Sequence, residues 1–346
     1  MFSIRLYMLS IMRDERRGFF AIIIRFFLTV LSFVYGLAIK FVDRAYSSGM
    51  RRVYRSPVPV ISVGNITLGG TGKTPFTVFI VEHLAGIGKR PAVLTRGYGN
   101  DEHKMMKDAV NDLMVFPGQD RVKSAKKAVK LGADVLVLDD GFQHRRLGRN
   151  LDVLLLDCPF PFAKDHLFPR GMLREPVSSL RRAGIIVLSK VDRIDKDQQE
   201  KIVRRINGLA PGVPIVSAKH EPMIMTDTAG AGYSPDELQG KKVYLVSGIA
   251  DPEYFAYTVK KTGAVVVGVL KFPDHYKYRQ MDIDRVFAKC FSSSVEVILT
   301  TEKDYIKLKE LDLSRLEEKL FVLHIRVDIT EGRERFVSGL DSVMSY

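Results

Sequence analysis

The polar and apolar positions of this chain fall into two regimes. Residues 18–39 form one apolar run, GFFAIIIRFFLTVLSFVYGLAI, broken by a single charge at Arg25. Such a run is long enough for a helix that crosses a bilayer. From residue 58 onward the pattern changes. Short apolar runs rich in β-branched residues alternate with stretches of helical spacing. The runs predict strands at 58–63, 91–95, 113–116, 135–138, 151–156, 185–189 and 214–217. Helical spacing predicts helices at 76–84, from 100 onward, and at 121–131. Continuous apolar strands between helices are what a parallel sheet covered on both faces requires. Residues 219–240 lose this rhythm, and Pro222, Gly230, Gly232, Pro235 and Gly240 punctuate them. They read as a hinge or linker. A second alternation follows, with strands at 242–247, 265–270, 295–300 and near 320–325, and helices at 252–262 and 282–291. No solenoid-type repeat and no low-complexity segment appears.

The first strand leads into SVGNITLGGTGKTP at 62–75. Strand, glycine-rich turn, helix is the geometry a triphosphate needs. Glycines let backbone N–H groups approach oxyanions, and the helix N-terminus adds its positive dipole end. The predicted phosphate cradle is Thr67, Gly69, Gly70, Thr71, Gly72, Lys73 and Thr74. In the usual pattern a glycine stands where this chain has Thr67. Lys73 is placed to reach the β- and γ-phosphates, and Thr74 to hold Mg²⁺. The fold expected is therefore α/β: a P-loop NTPase-type, mostly parallel sheet with flanking helices. A smaller C-terminal α/β domain and an N-terminal hydrophobic helix complete it. The expected boundaries are 1–45 for the membrane-associating helix, 46–220 for the P-loop domain and 221–346 for the second domain.

Three further stretches carry chemistry. In ADVLVLDDGFQHRRL, 133–147, a buried strand ends in Asp139 and Asp140. Open α/β sheets bind ligands at strand C-termini, and an acid there reads as the Mg²⁺-side carboxylate. The loop HLFPRGMLREP, 166–176, offers Arg170, Arg174 and Glu175 to phosphates or an anionic substrate. Ser189-Lys190-Val191-Asp192 is similar to the base-reading NKxD of GTP-binding proteins, with Ser at the Asn position.

Charge narrows the list of partners. The 346 residues carry a formal net charge of +13 and a pI near 9.6. That favours nucleic acid, an anionic membrane or a phosphorylated substrate. No basic patch interleaved with aromatic residues stands out, so nucleic acid is the weakest of the three. Arg13, Arg16 and Arg17 precede the apolar run, and Lys40, Arg44, Arg51, Arg52 and Arg55 follow it. A spanning helix shows a one-sided basic bias. Symmetric flanks suit a helix lying in, or dipping into, the cytoplasmic leaflet. No small-residue cleavage site follows it. Two distant cysteines, Cys158 and Cys290, exclude a disulfide framework and a Cys/His metal site and point to a reducing cytoplasm.

Together these segments carry a family resemblance. SVGNITLGGTGKTP, TRGYG, DDGFQHRRL, PRGMLREP, the turn with Gly248, Ile249 and Pro252, FPDHY and TTEKD occur in order over most of the chain. The set resembles the tetraacyldisaccharide 4′-kinases, the lipid A kinases of Gram-negative bacteria. The resemblance implies ATP- and Mg²⁺-dependent phosphorylation of an acylated glucosamine disaccharide 1-phosphate at its 4′-hydroxyl. It places the enzyme on the cytoplasmic face of the inner membrane, with no obligate protein partner and no nucleic acid. It also implies residue roles. Asp101, directly after RGYG, aligns with the catalytic base, in a segment shorter than the family's and with His103 at a proline position. His275 in FPDHY supports that base from the second domain. Lys73 and Asp140 complete the catalytic set. Tyr98, Arg121, Gln143, His144 and Arg174 fall on substrate-binding positions, and Thr74, Asp139 and Glu175 on metal positions. The competing class is a P-loop GTPase or ATPase that switches a protein partner. It would need a water-positioning residue in place of an acceptor-side base, and no apolar anchor.

Overall fold

The computed structural model describes all residues except 1–6, 9, 13, 17, 98–99, 111, 292–293 and 345–346, and the side chains of 100–102, 109 and 291. Among the described residues, twelve strands form one sheet. In chain order they are β1 Val60–Asn65, β2 Pro91–Thr95, β3 Met114–Pro117, β4 Val135–Asp139, β5 Leu151–Asp157, β6 Ile185–Ser189 and β7 Ile215–Thr226. Then come β8 Gly232–Tyr233, β9 Lys242–Ser247, β10 Val265–Lys271, β11 Val297–Thr301 and β12 Leu320–Glu331. The order across the sheet is β10-β9-β11-β12-β7-β6-β5-β1-β4-β2-β3, with β8 pairing only β7. The helices are α1 Phe19–Ser47, α2 Lys73–Gly86, α3 Asn100–Ala109, α4 Arg121–Lys130, α5 Lys196–Leu209, α6 Pro252–Lys261, α7 Gln280–Phe291, α8 Glu302–Leu308 and α9 Arg333–Met344.

The apolar runs become strands because both faces are covered. In β1, Ile61 and Val63 pack with α2 residues Phe76, Ile80 and Leu84 on one face. Val60 faces the other side with Val122 and Ala125 of α4. β5 and β6 turn Leu154, Leu156, Ile186 and Leu188 toward Ile206 of α5. In the second half, Val243 and Leu245 meet Phe255 and Val259 of α6, while Tyr244 and Val246 meet Ile283 and Val286 of α7.

Apart from the two-residue β8, which runs antiparallel to β7, strands within each half are parallel, and the halves join through β7 and β12, which run antiparallel. Residues 219–226, expected as part of a linker, lie in this ribbon. β6 pairs Ile215 to Ala218 of β7, whereas β11 pairs Leu320 to Leu323 of β12. In the ribbon register Val322 opposes Thr226 and Glu331 opposes Ser217. The two halves therefore attach at opposite ends of it. The chain then returns: Phe336, Leu340 and Val343 of α9 pack into the core of the first half, across the 220/221 boundary.

Helix α1 continues past the expected residue 39 to Ser47. It is long and apolar enough to cross a membrane, with a mean hydropathy of 2.2 over its most apolar window, of which 17% is buried. Ala21, Leu28, Ser32 and Ala45 form its buried stripe. The Ser32 hydroxyl donates to the Leu167 carbonyl at 2.7 Å and accepts the Arg170 N–H at 2.8 Å. The Tyr35 hydroxyl donates to the Arg174 carbonyl at 2.9 Å. The helix thus seats on the 166–176 loop and leaves Phe20, Phe26, Phe27, Phe33 and Phe41 exposed.

Candidate active site

β1 ends and the glycine loop begins at the edge of a cavity of about 880 Å³ between the halves. Gly69 through Thr74, Asp139, Asp140 and Arg96 line it from the first half, and Asp251, Tyr254, Asp274, His275 and Lys303 from the second. Ribbon residues from both strands, including His220 and Arg326, line it as well. Gly72 has φ +82°, and a Cβ there would lie 2.9 Å from His220 Nε2. Any larger residue would meet both backbone strain and that ring.

The two acids differ in role. The Asp139 carboxylate accepts the Thr77 hydroxyl at 2.9 Å from the first turns of α2. Asp140 sits in left-handed backbone, φ 52°, which aspartate tolerates better than most residues. Its carboxylate receives a two-pronged bond from Arg174, at 2.7 and 3.1 Å, and faces Lys73 Nζ at 3.6 Å. Burial alone would raise its pKa, but Lys73 and Arg174 outweigh it and hold the carboxyl down at about 2. Asp140 is therefore ionised at neutral pH and fixes two cations that border the phosphate cradle. Arg174 also reaches Asn65 Oδ1 at 3.2 Å, and Asn65 Nδ2 donates to the Thr71 hydroxyl at 3.0 Å. Asn65 Nδ2 also lies 3.5 Å from the Thr67 hydroxyl. Loop, acid and arginine are one polar network.

Other expected residues stand behind this front. Arg121, buried, donates to the Asp139 carbonyl at 3.3 Å and to the Gly118 carbonyl. Burial pulls its pKa down to about 10, opposed by Asp139 and Asp140. Gln143 Nε2 donates to the Asn65 carbonyl at 2.8 Å. His144 is held neutral, at about 4, by burial and then by Arg121 and Arg149. Glu175 does not line the cavity: its carboxylate takes the Arg182 guanidinium at 2.6 Å. Arg170 pairs with Asp14 at 2.6 Å, beside α1. Tyr98 lies outside the described residues, and so does the side chain of Asp101. Asp101 falls in the first turn of α3, and the neighbouring His103 Nε2 meets the Thr95 hydroxyl at 2.5 Å. His275, exposed and at φ 60°, stands in a turn with Asp274. Lys303 Nζ lies 3.1 Å from Asp274 and 3.5 Å from His275 Nε2.

A Mg²⁺ ion is usually held by one or two carboxylates, water and phosphate oxygens, without a full protein cage. The Thr74 hydroxyl and the Asp139 carboxylate oriented by Thr77 fit that donor set. No cluster of three or more His, Cys, Asp or Glu able to hold a metal occurs among the described residues.

The SKVD segment does not present a base-reading carboxylate. Asp192 accepts the Tyr254 hydroxyl at 3.0 Å and pairs with Lys261 at 3.1 Å. Lys190 turns under the glycine loop. Asn65, Thr77, Lys190, His220 and Lys303 join the site without having been singled out for it. Asn65, Lys190 and Lys303 lie inside SVGNITLGGTGKTP, the SKVD segment and TTEKD, whereas only proximity in the fold shows Thr77 and His220.

Comparison with known proteins agrees with this geometry. The family model described as tetraacyldisaccharide-1-P 4′-kinase matches residues 24–345. The chain is 35% identical over 325 residues to the tetraacyldisaccharide 4′-kinase of Anaeromyxobacter sp. (strain K), covering 87% of this chain and 85% of that one. It is 32% identical over 342 residues to that of Desulfatibacillum aliphaticivorans, covering 88% and 89%. Among solved structures, LpxK from Aquifex aeolicus, crystallised with ATP, superposes with a TM-score of 0.70 at 28% identity. That match covers 93% of this chain and 99% of the other. With family model, relatives and fold in agreement over nearly its whole length, the chain belongs to the tetraacyldisaccharide-1-P 4′-kinase family.

Proposed function

We propose that this chain transfers the γ-phosphate of ATP to the 4′-hydroxyl of a tetraacylated glucosamine disaccharide 1-phosphate, at the cytoplasmic face of the inner membrane. One observation carries the reading: within this family's fold, the glycine loop and the FPDHY turn open onto the same cavity. A switch NTPase needs only the first of these. In this reading the backbone of Gly69–Thr74 cradles the phosphates, and Lys73 spans the β- and γ-positions. Asp140, itself gripped by Arg174, holds Lys73 at that edge. Thr74 and Asp139 would hold Mg²⁺, which when bound neutralises charge on the phosphate oxygens. The family resemblance assigns substrate contacts to Tyr98, Arg121, Gln143, His144 and Arg174. Arg121, Gln143, His144 and Arg174 stand outside the cavity lining, with Arg121 and Arg174 bonded to Asp139 and Asp140 within it.

A sugar hydroxyl is a poor nucleophile at neutral pH. A carboxylate in hydrogen-bond reach accepts its proton as the new P–O bond forms and the bond to the β-phosphate oxygen breaks. Asp101 takes that role here, with His275 orienting it once the second half closes on the first. The β7–β12 ribbon is the hinge of that closure. Exposed aromatic residues of α1 enter the cytoplasmic leaflet, where the lipid acceptor resides.

The test is transfer of ³²P from labelled ATP to a purified tetraacyl disaccharide 1-phosphate in mixed micelles. The expected product is a lipid bisphosphate that carries the label. Release of labelled phosphate to water, with unlabelled lipid, would replace the kinase reading by the switch.

A further inference from the structure

Beneath the glycine loop lies a buried lysine that the reaction just described does not use. Lys190, with 2% of its side chain exposed, follows β6 in left-handed backbone, φ 57°. Its ammonium donates to the Gly70 carbonyl at 2.9 Å. It pairs with Asp157, at the end of β5, at 2.9 Å. It also pairs with Asp251, the N-cap of α6 in the second half, at 2.5 Å. Two N–H donors bond the Gly70 carbonyl and Asp251, and the Asp157 carboxylate adds a second ion pair. An ammonium taken out of water is tolerated only when it is paired this fully. The preceding residue reaches the next peptide: the Ser189 hydroxyl lies 3.1 Å from the Thr71 carbonyl and 3.3 Å from the Leu156 carbonyl, sharing its one hydrogen between them. Two successive loop carbonyls are thus tied to one dipeptide. In a planar trans peptide the N–H points opposite to the C=O. With the Gly70 and Thr71 carbonyls held on the Ser189–Lys190 side, the N–H groups of Thr71 and Gly72 are sent the other way. The second half presses on the same loop, since a Cβ on Gly70 would lie 2.6 Å from the Ala250 Cβ.

We propose that Lys190, with Ser189, is a positioning residue that aims the loop amides at the nucleotide phosphates. Its bond to Asp251 makes that aim depend on the seating of the second half. This rests on reading Gly69–Thr74 as the phosphate cradle. The loop then reports the position of the second half: when Asp251 moves away, the Gly70 peptide is released and phosphate affinity falls.

The experiment measures ATP affinity by calorimetry and the rise in Tm that saturating ATP produces. The proteins are wild type and the Lys190→Met, Lys190→Arg, Asp251→Asn, Ser189→Ala and Lys73→Ala variants. Asparagine remains a good N-cap, so Asp251→Asn removes the charge while keeping α6. Lys190→Met should weaken ATP binding roughly tenfold, the loss of one charge-assisted bond. Asp251→Asn and Ser189→Ala should each weaken it roughly threefold. Lys190→Arg should recover part of the loss. Lys190→Met combined with Asp251→Asn should bind ATP no worse than Lys190→Met alone, because both cut the same tie. A purely structural role would lower the Tm of the free protein but leave the ATP-induced rise intact, and that result overturns the proposal. If Lys190→Met does not fold, Asp251→Asn and Ser189→Ala decide, and wild-type ATP affinity in both overturns it. Lost binding in Lys73→Ala beside unchanged binding in the other variants sinks the Lys190 assignment alone. Unchanged binding in Lys73→Ala sinks the cradle reading with it.

Discussion

Lys73 stands 3.6 Å from Asp140, which Arg174 grips from behind. Its ammonium is placed by a network at the cavity edge and supports no core packing. Lys73→Ala should leave Tm within a few degrees of wild type. It should lower kcat roughly a hundredfold or more, since the charge that balances the transferring phosphoryl group is gone. Near-normal turnover in the folded variant would remove the loop from the chemistry. His220 gives a residue-scale prediction of another kind. Burial, and then Lys190, hold its imidazole down at about 4, against about 6.5 in an unfolded chain. As pH falls through about 6.5 the unfolded chain takes up a proton that the folded one refuses until near 4. Stability therefore rises with pH across that window and is lost on acidification, by about 3 kcal/mol for this ring. His220→Gln should flatten the fall of Tm between pH 6.5 and 4.5. Part of the slope remains, because His144 is depressed in the same way. An unaltered slope would mean the ring is not neutral in the fold. Residues on the loop and after β4 were legible because local chemistry fixes them. His220 was not: a lone histidine in a sequence carries no mark of the glycine, 148 positions earlier in the chain, against which it packs.

Elements were legible where their apolar period was uninterrupted. β1, β2, β4, β5, β6 and β9 fall within about two residues of their expected bounds, since a strand buried on both faces writes itself as a continuous run. The pattern names no helix over α5, although Asp195 and Gln198 close a capping box at its start. Its apolar stripe, Ile202, Val203, Ile206 and Leu209, does recur at helical spacing, but it is confined to the second half of the helix, behind the polar run from Lys196 to Lys201. α9 is likewise unread, because its apolar stripe, Phe336, Leu340 and Val343, belongs to a core built some 200 residues earlier. α1 was legible in kind but not in length: its last turns are amphipathic, with Asp43 meeting Arg145 and Arg182. That helix carries an element-scale prediction. Phe27, Phe33 and Phe41 are each more than 60% exposed and touch no core. Each ring contributes about 2 kcal/mol when it leaves water. Replacing all three by Ser should cut partition onto vesicles containing anionic phospholipid by more than about a hundredfold, with Tm unchanged. Ser32→Ala should keep vesicle binding, because Ser32 faces the 166–176 loop. Full retention of binding by the triple variant would transfer the anchor to another surface.

At the scale of the molecule, the two halves meet at the β7–β12 ribbon and again across the mouth of the cavity, where α3 lies against α8. Lys104 of α3 pairs with Glu310, just past α8, at 2.9 Å. Asp101 belongs to α3 and His275 to the turn before α7 in the second half, so on the proposed roles turnover passes through states in which the distance between α3 and α8 changes. An acceptor with four acyl chains must enter, and a product must leave. Holding the two helices together should therefore act on turnover more than on nucleotide binding. The two native cysteines suit the test, because both are buried and burial pushes the Cys158 thiol up to about 12. In a Lys104→Cys, Glu310→Cys protein, only the new thiols should react with maleimides. A short bis-maleimide bridge should lower kcat on the lipid acceptor by at least about tenfold. ATP affinity should stay within about twofold, since the bridge keeps the second half seated, with Asp251 still on Lys190 beneath the loop. The same protein capped by a monofunctional maleimide should turn over like the uncapped one, which separates the bridge from the loss of the ion pair. Equal rates with and without the bridge would show that the halves do not move during catalysis. Asp101 and His275 would then have to meet in the arrangement already present, and the ribbon would serve as a rigid beam.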